Sequence, residues 1–416
     1  MHLPLNWISN FTDLTTLRAS TSIRDISHAY SIHTAEIERS EKFEAISGVV
    51  VGKVLTAVRH PESTKLWICT VQVTGSGEQE TILTGAPNVY VGMYTAVAVV
   101  GCQLTPDFVI GERKMAGMIS RGMMCGADEI GLTRTQAAGI IDLGADFATE
   151  YLESAIGKSI FELQVPILGP NNKIHTMPMT DTVLEIDNKN MTNRGDLFGI
   201  VGHAREFAAV FGGEFSSDLV SSTPETLGSW EVSPVIATRT ETDKVRSYCL
   251  ARVEGVTPRA TPLGIAMLLE RSGHTSHDAI VDMTNFVMME YGQPMHAFDA
   301  DTIEGAVVVR QAREGETLVT LDGKERVLLP TDILIADEVK ILGLAGVMGG
   351  LSSRITESTR NICIESAVFD PVAIRLTAQR LGLRSDASTR YEKSLDPTLS
   401  ERALMRGLDI LSFSKV

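Results

Sequence analysis

The fold of this chain is decided by a stretch that begins at residue 48: Gly48-Val49-Val50-Val51-Gly52-Lys53-Val54-Leu55. A valine-rich run of this length favours a β-strand. Strand-like runs follow at 66–74, 81–83 and 94–100, and residues 139–143 are expected to add a last strand. Several short strands with glycine-rich turns between them predict a small β-barrel.

One part of this barrel has to be weighed against a membrane span, because residues 81–106 include no charged side chain. The length alone is sufficient for a transmembrane helix. Turn-forming residues interrupt the stretch, however, at Gly85, Pro87, Asn88, Gly92 and Gly101. We therefore expect a strand–turn–strand arrangement with no membrane partner, and the uncharged N-terminus predicts no signal peptide.

The composition is that of an ordinary globular protein with more than one domain. The chain has 416 residues, of which 44% are hydrophobic and 21% are charged. Its 37 basic and 52 acidic residues give a net charge of −15, which excludes a non-specific nucleic-acid coat but permits a local binding patch. Five widely spaced cysteines predict free thiols in a reducing compartment, with neither a disulfide framework nor a zinc site.

The character of the sequence changes beyond the barrel. Residues 165–180 are rich in proline, glycine and asparagine, which is typical of a linker, and 214–235 form a second connector. Apolar periodicity predicts a helix over 197–211 with Asp196 as its N-cap. From about residue 240 strand-like and helix-like runs mix without strict alternation, which favours an α+β domain.

Candidate chemistry rests on isolated residues, because no phosphate loop, metalloprotease helix or nucleophile elbow is present. Glu365 ends an apolar strand, where a carboxylate is either an ion-pair partner or an acceptor for substrate. His296 is either a core histidine or a site residue. The glycine-rich run 343–350 is either a tight turn or a close approach to a ligand. Residues 371–393, with five basic and two acidic side chains, form either a solvated face or a phosphate-facing edge.

Five segments then occur in a distinctive order. They are Leu5-Asn6-Trp7-Ile8; His60-Pro61 and Lys65-Leu66 with Gly85-Ala86-Pro87-Asn88 and Ser120-Arg121-Gly122-Met123-Met124-Cys125; Thr192-Asn193-Arg194-Gly195-Asp196-Leu197 with Gly202-His203-Ala204-Arg205-Glu206; Val281-Asp282-Met283-Thr284-Asn285 with residues 292–299; and Gly349-Gly350 with Glu365 and residues 386–392. In this order they resemble the β subunit of bacterial phenylalanine–tRNA ligase.

The resemblance implies an α+β multidomain chain in which an OB-type β-barrel is followed by a mixed α/β editing domain. The expected parts are an N-terminal segment (1–39), an OB-type tRNA-binding domain (40–152), a helical linker region packing on the core (153–235), an editing domain (236–395) and the start of a truncated C-terminal region (396–416). The family's β subunit continues well beyond residue 416, so the chain is expected to be incomplete or a short natural form.

The family enzyme attaches phenylalanine to tRNA(Phe) with ATP and Mg²⁺, and activation takes place on a separate α subunit. The resemblance implies that this chain contributes tRNA binding, assembly into an α2β2 heterotetramer and hydrolytic editing of Tyr-tRNA in the cytoplasm. No ATP or metal ion is expected on this segment, and no DNA partner. Two alternatives stay open, namely a non-catalytic tRNA-binding or assembly protein and a freestanding trans-editing deacylase.

The resemblance also assigns site residues. The editing pocket is expected to comprise Thr284, Asn285, Pro294, His296, Gly346, Gly349, Glu365, Ser385 and Ala387. Glu365 is the expected acceptor for the tyrosine hydroxyl, while His296 and Ser385 are expected to position water near the ester. The expected tRNA-binding cations are Lys65, Arg113, Lys114, Arg121, Arg384 and Arg390. Thr275 stands where the family usually has arginine, and Ser385 where it usually has threonine.

Overall fold

The N-terminal residues share a sheet with a later part of the chain. The computed structural model describes residues 1–136, 138–216 and 238–414. Its first elements are β1 (His2–Pro4), α1 (Leu5–Ile8), α2 (Thr15–Ser20), α3 (Ile23–His33) and β2 (Ile37–Phe43). Both strands pair antiparallel with residues 181–186, one on each side. Hydrogen bonds therefore join the N-terminal segment to residues 181–186, which were expected to belong to a separate part of the chain.

A five-stranded sheet forms the barrel. The elements of this part are β3 (Val49–Arg59), β4 (Trp67–Gln72), β5 (Gln79–Thr84), β6 (Tyr94–Ala98), β7 (Gln103–Thr105), β8 (Phe108–Val109), β9 (Glu112–Met115), β10 (Met118–Arg121), β11 (Met123–Met124) and α4 (Thr149–Ala155). The strand order is β11-β6-β3-β4-β5. The Leu83 amide donates to Ser120 Oγ at 3.0 Å, which draws β5 towards β10 and nearly closes the barrel.

The long strand β3 holds this barrel together. Its first half pairs with β6 and its second half with β4, and the register shifts between Val54 and Thr56. A shift of this kind lets one strand turn a barrel corner. Gly52 lies in the half of β3 that pairs with β6, where a Cβ would stand 2.5 Å from Val97 Cγ2. Glycine at this position is therefore needed for the barrel core to close.

Residues 81–106 form strands connected by turns, as expected, and within the described ranges no helix has the length and apolarity to cross a membrane. The strand expected over 139–143 is absent, which corrects that prediction. The Ile140 amide donates to Asn88 Oδ1 at 3.1 Å, and its carbonyl accepts from Asn88 Nδ2 at 2.8 Å. Because a side chain satisfies both backbone groups, this residue has none left for a ladder.

The region expected as a helical linker contains three strands and one main helix: β12 (Gln164–Leu168), β13 (Ile174–Pro178), β14 (Asp181–Ile186) and α5 (Ile200–Phe211). The turn-forming residues 169–172 connect a hairpin, β12–β13, and are not part of a linker. The helix begins after Gly199, because residues 195–198 form a short 3₁₀ turn. The connector at 214–235 lies mostly outside the described residues.

The last part of the chain combines two larger sheets and the two-stranded hairpin β19–β20 with five helices among the described residues. Its elements are β15 (Thr238–Thr240), β16 (Val245–Glu254), α6 (Leu263–Arg271), α7 (Ala279–Tyr291), β17 (Met295–Asp299), β18 (Val307–Gln311), β19 (Thr317–Val319), β20 (Glu325–Val327), β21 (Ile333–Ala336), β22 (Ile341–Leu344), β23 (Met348–Gly349), β24 (Asn361–Phe369), α8 (Pro371–Leu381), α9 (Asp386–Tyr391) and α10 (Leu399–Phe413). One sheet has the order β16-β24-β17 and the other β15-β18-β21-β22-β23.

Helix α10 belongs to the core of this domain. Its Arg406 is 3% exposed, and Nε donates to Glu290 Oε2 of α7 at 2.7 Å. The same guanidinium donates to the carbonyl oxygens of Leu168 and Gly169, and Glu290 also accepts from Trp7 Nε1 at 3.4 Å. One buried ion pair thus connects the N-terminus, the β12–β13 hairpin and the last two-sheet domain.

Candidate functional site

A cavity of about 80 Å³ lies between the three-stranded sheet and the glycine-rich end of the five-stranded one. Six of the nine residues expected in the editing pocket line it: Pro294, His296, Gly346, Gly349, Glu365 and Ala387. They come from β17 and the residue before it, the β22–β23 turn, β23, β24 and α9. The structure therefore brings together residues that are as much as 93 positions apart in sequence.

Glu365 lies on the central strand β24 and is 5% exposed. Its Oε2 accepts a hydrogen bond of 2.9 Å from the Tyr248 hydroxyl. Among the described residues, none hydrogen-bonds to Oε1. Burial raises the pKa of Glu365 to about 7, and the Tyr248 hydrogen bond opposes this shift. The carboxyl group therefore exchanges between its ionised and protonated forms near neutral pH.

His296 lies directly opposite Glu365 on the neighbouring strand β17. Opposed residues of an antiparallel pair project from the same face, so both side chains point towards the cavity. His296 Nε2 is buried, and no described residue hydrogen-bonds to it. Burial lowers the pKa of His296 to about 4. The imidazole is therefore neutral at physiological pH, with one ring nitrogen left for a ligand or a water.

Two glycines give the cavity its shape. A Cβ on Gly349 would stand 2.5 Å from His296 Cε1, and one on Gly346 would stand 2.9 Å from Tyr391 Cδ2. Gly346 also has a φ of +65°, a backbone conformation that residues other than glycine rarely adopt. The glycine-rich run is thus a place where backbone approaches the side chains of the cavity closely.

Ser385 supports this wall from behind. Its hydroxyl caps α9 by accepting from the Ser388 amide at 3.1 Å, and it donates to the Val347 carbonyl at 2.9 Å. Because its single proton is donated to Val347, the hydroxyl secures the loop that contains Gly346. Ser385 is not among the residues that line the cavity, whereas Ala387, two positions later, lies at its partly exposed mouth.

Thr284 and Asn285 lie on α7 and do not line the cavity. The Thr284 hydroxyl donates to the Val281 carbonyl at 2.7 Å, within its own helix. Asn285 stands one turn before Met289 on the same helix face, and Met289 Sδ lies 3.1 Å from the Arg390 guanidinium. Asn285 is therefore on the side of α7 that is turned towards α9. Thr275 is exposed in the loop before α7.

Arg390 corrects one expectation about tRNA contacts. It is 4% exposed, and its Nε donates to the Phe198 carbonyl at 3.2 Å. Its Nη1 donates to the Asp386 carbonyl at 3.1 Å. The guanidinium thus fastens α9 to the segment before α5 and is not accessible to a phosphate. Arg384, in contrast, is exposed, with Nη2 3.6 Å from Glu392 Oε1.

The four cations expected on the barrel are all exposed: Lys65, Arg113, Lys114 and Arg121. Arg121 pairs with Glu112 at 3.2 Å across the β9–β10 hairpin. Arg113 lines a cleft of about 690 Å³ between this hairpin and the end of β5. The carboxylates of Glu112, Asp128 and Glu129 line the same cleft, so its charge is mixed.

Sequence reasoning missed three side chains that matter to these sites. Tyr248 on β16 holds Glu365, and Tyr391 on α9 lines the cavity. Arg59 stacks over Trp67 at 3.8 Å from the ring centroid, at the base of the loop that contains Lys65. No strand was expected over β16, and only the pairing of β16 with β24 reveals the contact of Tyr248. The contact between Arg59 and Trp67 could have been predicted, because a basic residue precedes the loop and an aromatic residue follows it.

Within residues 1–136, 138–216 and 238–414, no three or more His, Cys, Asp and Glu side chains cluster with a geometry that could hold a metal ion. Glu365 and His296 are the two side chains of this kind that line the cavity, and apolar groups and glycines flank them. Any Mg²⁺ used with ATP would need ligands other than a cluster of this kind.

Two family models match the chain. The "Putative tRNA binding domain" model matches residues 49–149, and the "B3/4 domain" model matches residues 244–413. The first range covers the barrel and the second covers the two-sheet domain including α10. The second range places α10 with the cavity domain, in agreement with its packing.

Curated relatives cover most of the chain. The phenylalanine–tRNA ligase beta subunit of Xanthomonas campestris pv. campestris (strain 8004) is 38% identical over 368 residues, which are 87% of this chain and 42% of the relative. That of Latilactobacillus sakei subsp. sakei (strain 23K) is 35% identical over 400 residues, 95% of this chain and 46% of the relative. The chain thus spans less than half the length of these relatives.

Among solved structures, an N-terminal fragment of the phenylalanyl-tRNA synthetase beta subunit from Pyrococcus horikoshii matches 49% of this chain and 61% of the fragment. The sequences are 18% identical and the TM-score is 0.27. At that score the superposition has no weight. The similarity of this chain to phenylalanine–tRNA ligase beta subunits therefore rests on the sequence matches.

Proposed function

We propose that this chain, which is related to the N-terminal part of phenylalanine–tRNA ligase β subunits, binds tRNA and hydrolyses tyrosine esters formed wrongly on tRNA(Phe). The observation that supports this most strongly is the buried carboxyl of Glu365, which meets the cavity with one oxygen unbonded by the described residues. The family matches supply the tRNA context, and the cavity supplies the chemistry that would distinguish tyrosine from phenylalanine.

Selection would depend on a single hydroxyl group. An apolar pocket rejects an added hydroxyl poorly, whereas a buried polar partner discriminates strongly against a ligand that leaves it unpaired. Tyrosine would donate to Glu365 Oε1, but phenylalanine would desolvate that oxygen without replacing the hydrogen bond. Such an unmet buried acceptor costs about 1–3 kcal/mol, and more when it is charged. The site would therefore prefer the wrongly attached amino acid.

Hydrolysis needs a water directed at the ester carbonyl. In the proposed reaction the water oxygen bonds to the carbonyl carbon, the bond to the tRNA ribose oxygen breaks, and that oxygen leaves with a proton. His296 would hydrogen-bond this water through Nε2, which has no partner among the described residues. With its pKa lowered to about 4 by burial, His296 is a weak base, so we assign it orientation of the water.

The wider assignment follows the names of the relatives. We infer that this chain works in the cytoplasm beside an α subunit, which activates phenylalanine with ATP and Mg²⁺, in an α2β2 assembly. The barrel would contact tRNA(Phe) through Lys65, Arg113, Lys114 and Arg121, and Arg384 would lie near the tRNA end at the cavity.

The direct test is deacylation of tyrosyl-tRNA(Phe) by the purified chain. Ala387→Trp would place an indole at the mouth of the cavity, so we expect hydrolysis to fall at least tenfold. Ala19→Trp is the matched control, because Ala19 is an exposed alanine on α2, outside the cavity lining. Hydrolysis by the parent chain that survives Ala387→Trp would contradict the proposed site.

One observation favours a second function, a non-catalytic tRNA-binding or assembly role. The cavity of about 80 Å³ is smaller than the ~150 Å³ of an engineered cavity that binds benzene. The cavity as it stands would therefore not fully enclose a phenol ring. Undiminished tRNA binding with no hydrolysis of the tyrosine ester would support this second function.

A further inference from the structure

The Tyr248 hydroxyl is the structural feature that fixes how Glu365 meets the cavity. Tyr248 lies on β16, on the opposite side of β24 from His296, and it pairs with Ala367. Its hydroxyl donates to Glu365 Oε2 at 2.9 Å. Ala367 is two residues from Glu365 on β24, so Tyr248 lies beside Glu365 on the same face of the sheet, and it does not line the cavity. One carboxyl oxygen is thereby occupied by the protein, and no described residue hydrogen-bonds to the other.

We propose that Tyr248 is a positioning residue that determines the specificity of the site, because it holds Glu365 with a single oxygen available to a ligand hydroxyl. This inference rests on the proposed editing function and adds a residue to it. Without this hydrogen bond the carboxyl group of Glu365 could rotate. Its oxygens could then point away from the ligand ring or bond to the cavity walls. The hydrogen bond removes this freedom, so the acceptor is preorganised before a ligand arrives.

The protonation of Glu365 strengthens the consequence. The titratable side chains that face Glu365 are Tyr248 from β16, Tyr391 from α9, His296 from β17 and Cys363, two residues away on its own strand. Burial raises the pKa of Glu365 to about 7, and the Tyr248 hydrogen bond lowers it. A neutral carboxyl is a weaker acceptor than a carboxylate. Preference for tyrosine should therefore weaken as pH falls through about 7.

The test compares hydrolysis of tyrosyl-tRNA(Phe) with that of phenylalanyl-tRNA(Phe) between pH 6 and 9. The ratio of the two kcat/KM values is the readout, because it cancels the effect of hydroxide on ester hydrolysis itself. For Tyr248→Phe we expect the ratio at pH 7.5 to fall about tenfold. We also expect its midpoint to move to higher pH, with partial recovery near pH 9, because the hydrogen bond that lowered the pKa is gone.

Ser247→Ala is the matched control, since adjacent residues of a strand face opposite sides. Ser247 Oγ lies 2.6 Å from Ser400 Oγ, so this variant also loses one hydroxyl hydrogen bond from β16. Its ratio and midpoint should match those of the parent chain. Equal loss on both esters in Tyr248→Phe, with an unmoved midpoint, would overturn the inference. Absence of hydrolysis by the parent chain would instead overturn the proposed function itself.

A measurement without turnover completes the test. The carboxyl pKa of Glu365 can be followed by ¹³C NMR in the parent chain and in Tyr248→Phe. We expect a higher value in the variant, since burial then acts without the opposing hydrogen bond. An unchanged or lower value in a folded variant would show that Tyr248 does not act on Glu365.

Discussion

At the residue scale, Glu365 should lower the stability of the protein as pH rises. Its pKa is about 7 in the folded protein, against 4.5 for an ordinary glutamate. Between these values the unfolded chain releases a proton that the folded chain keeps, so the free energy of unfolding falls with increasing pH. At ~1.4 kcal/mol for each pKa unit, the cost approaches about 3 kcal/mol at pH 8.

Glu365→Gln should remove this cost while keeping an acceptor for the Tyr248 hydroxyl. We expect urea unfolding to show a gain of about 2–3 kcal/mol at pH 8 and little change at pH 4.5. Glu357→Gln, at an exposed glutamate of the same domain, should change stability at neither pH. An equal effect of Glu365→Gln at both pH values would mean that burial does not raise the pKa of Glu365.

At the element scale, α10 depends on one buried ion pair. Arg406 and Glu290 are 3% and 1% exposed at their side chains, and Arg406→Met would leave Glu290 buried without its cation. Removing one partner of a buried pair typically costs about 3–5 kcal/mol. We expect a loss of that size in chemical denaturation for Arg406→Met.

The matched control for this ion pair is Arg402→Met, at an exposed arginine one turn earlier on the same helix. It should change the unfolding free energy by less than about 0.5 kcal/mol. Similar effects of the two substitutions would show that the buried pair does not stabilise the packing of α10.

A second prediction at this scale concerns the contact between α5 and α7. A Cβ on Gly199 would stand 2.4 Å from the Gly292 backbone nitrogen and 2.5 Å from the Tyr291 carbonyl carbon. Backbone cannot yield as a side chain does, so Gly199→Ala should cost about 2 kcal/mol or more in thermal or chemical unfolding. Gly111→Ala, which meets nothing within 4 Å, should be tolerated. If the Gly199→Ala variant were as stable as the parent chain, the close approach of Gly199 to the backbone of α7 would be contradicted.

The elements show where sequence reasoning succeeds. The barrel strands β3–β6 and the helices α6 and α8 were predictable, because each has the hydrophobic period and flanking turn residues of its type. The hairpin β12–β13 was taken for a linker, since its proline and glycine residues dominate the composition. The start of α5 was misplaced because the need for Gly199 arises from Gly292, which is distant in sequence.

In the candidate site, too, sequence reasoning predicted some residues and missed others. Six cavity residues were identified through resemblance to a family, and their types alone left several alternatives open. Arg390 was expected to face tRNA, but its burial between α9 and the segment before α5 depends on tertiary packing that charge counting does not include. Tyr248 was missed, because its role exists only through strand pairing between β16 and β24.

At the scale of the whole molecule, the net charge of −15 must be reconciled with a tRNA partner. Binding would then use a few exposed cations, and removing a cation that binds one phosphate should reduce the salt dependence by roughly 0.7–0.9 in log–log slope. Lys65→Ala with Lys114→Ala should therefore weaken tRNA binding and flatten its salt dependence in filter-binding assays. Lys173→Ala, an exposed lysine outside the barrel strands, is the control. An unchanged slope in the double variant would place the tRNA-binding surface elsewhere.

The central claim is that Glu365 recognises the hydroxyl by which tyrosine differs from phenylalanine. The most direct measurement is the ratio of kcat/KM for tyrosyl-tRNA(Phe) over phenylalanyl-tRNA(Phe) at pH 8, in the parent chain and in Glu365→Ala. We predict a ratio well above one in the parent chain and a fall of at least tenfold in the variant, caused by slower hydrolysis of the tyrosine ester. A folded Glu365→Ala variant that keeps the parental ratio would contradict the claim.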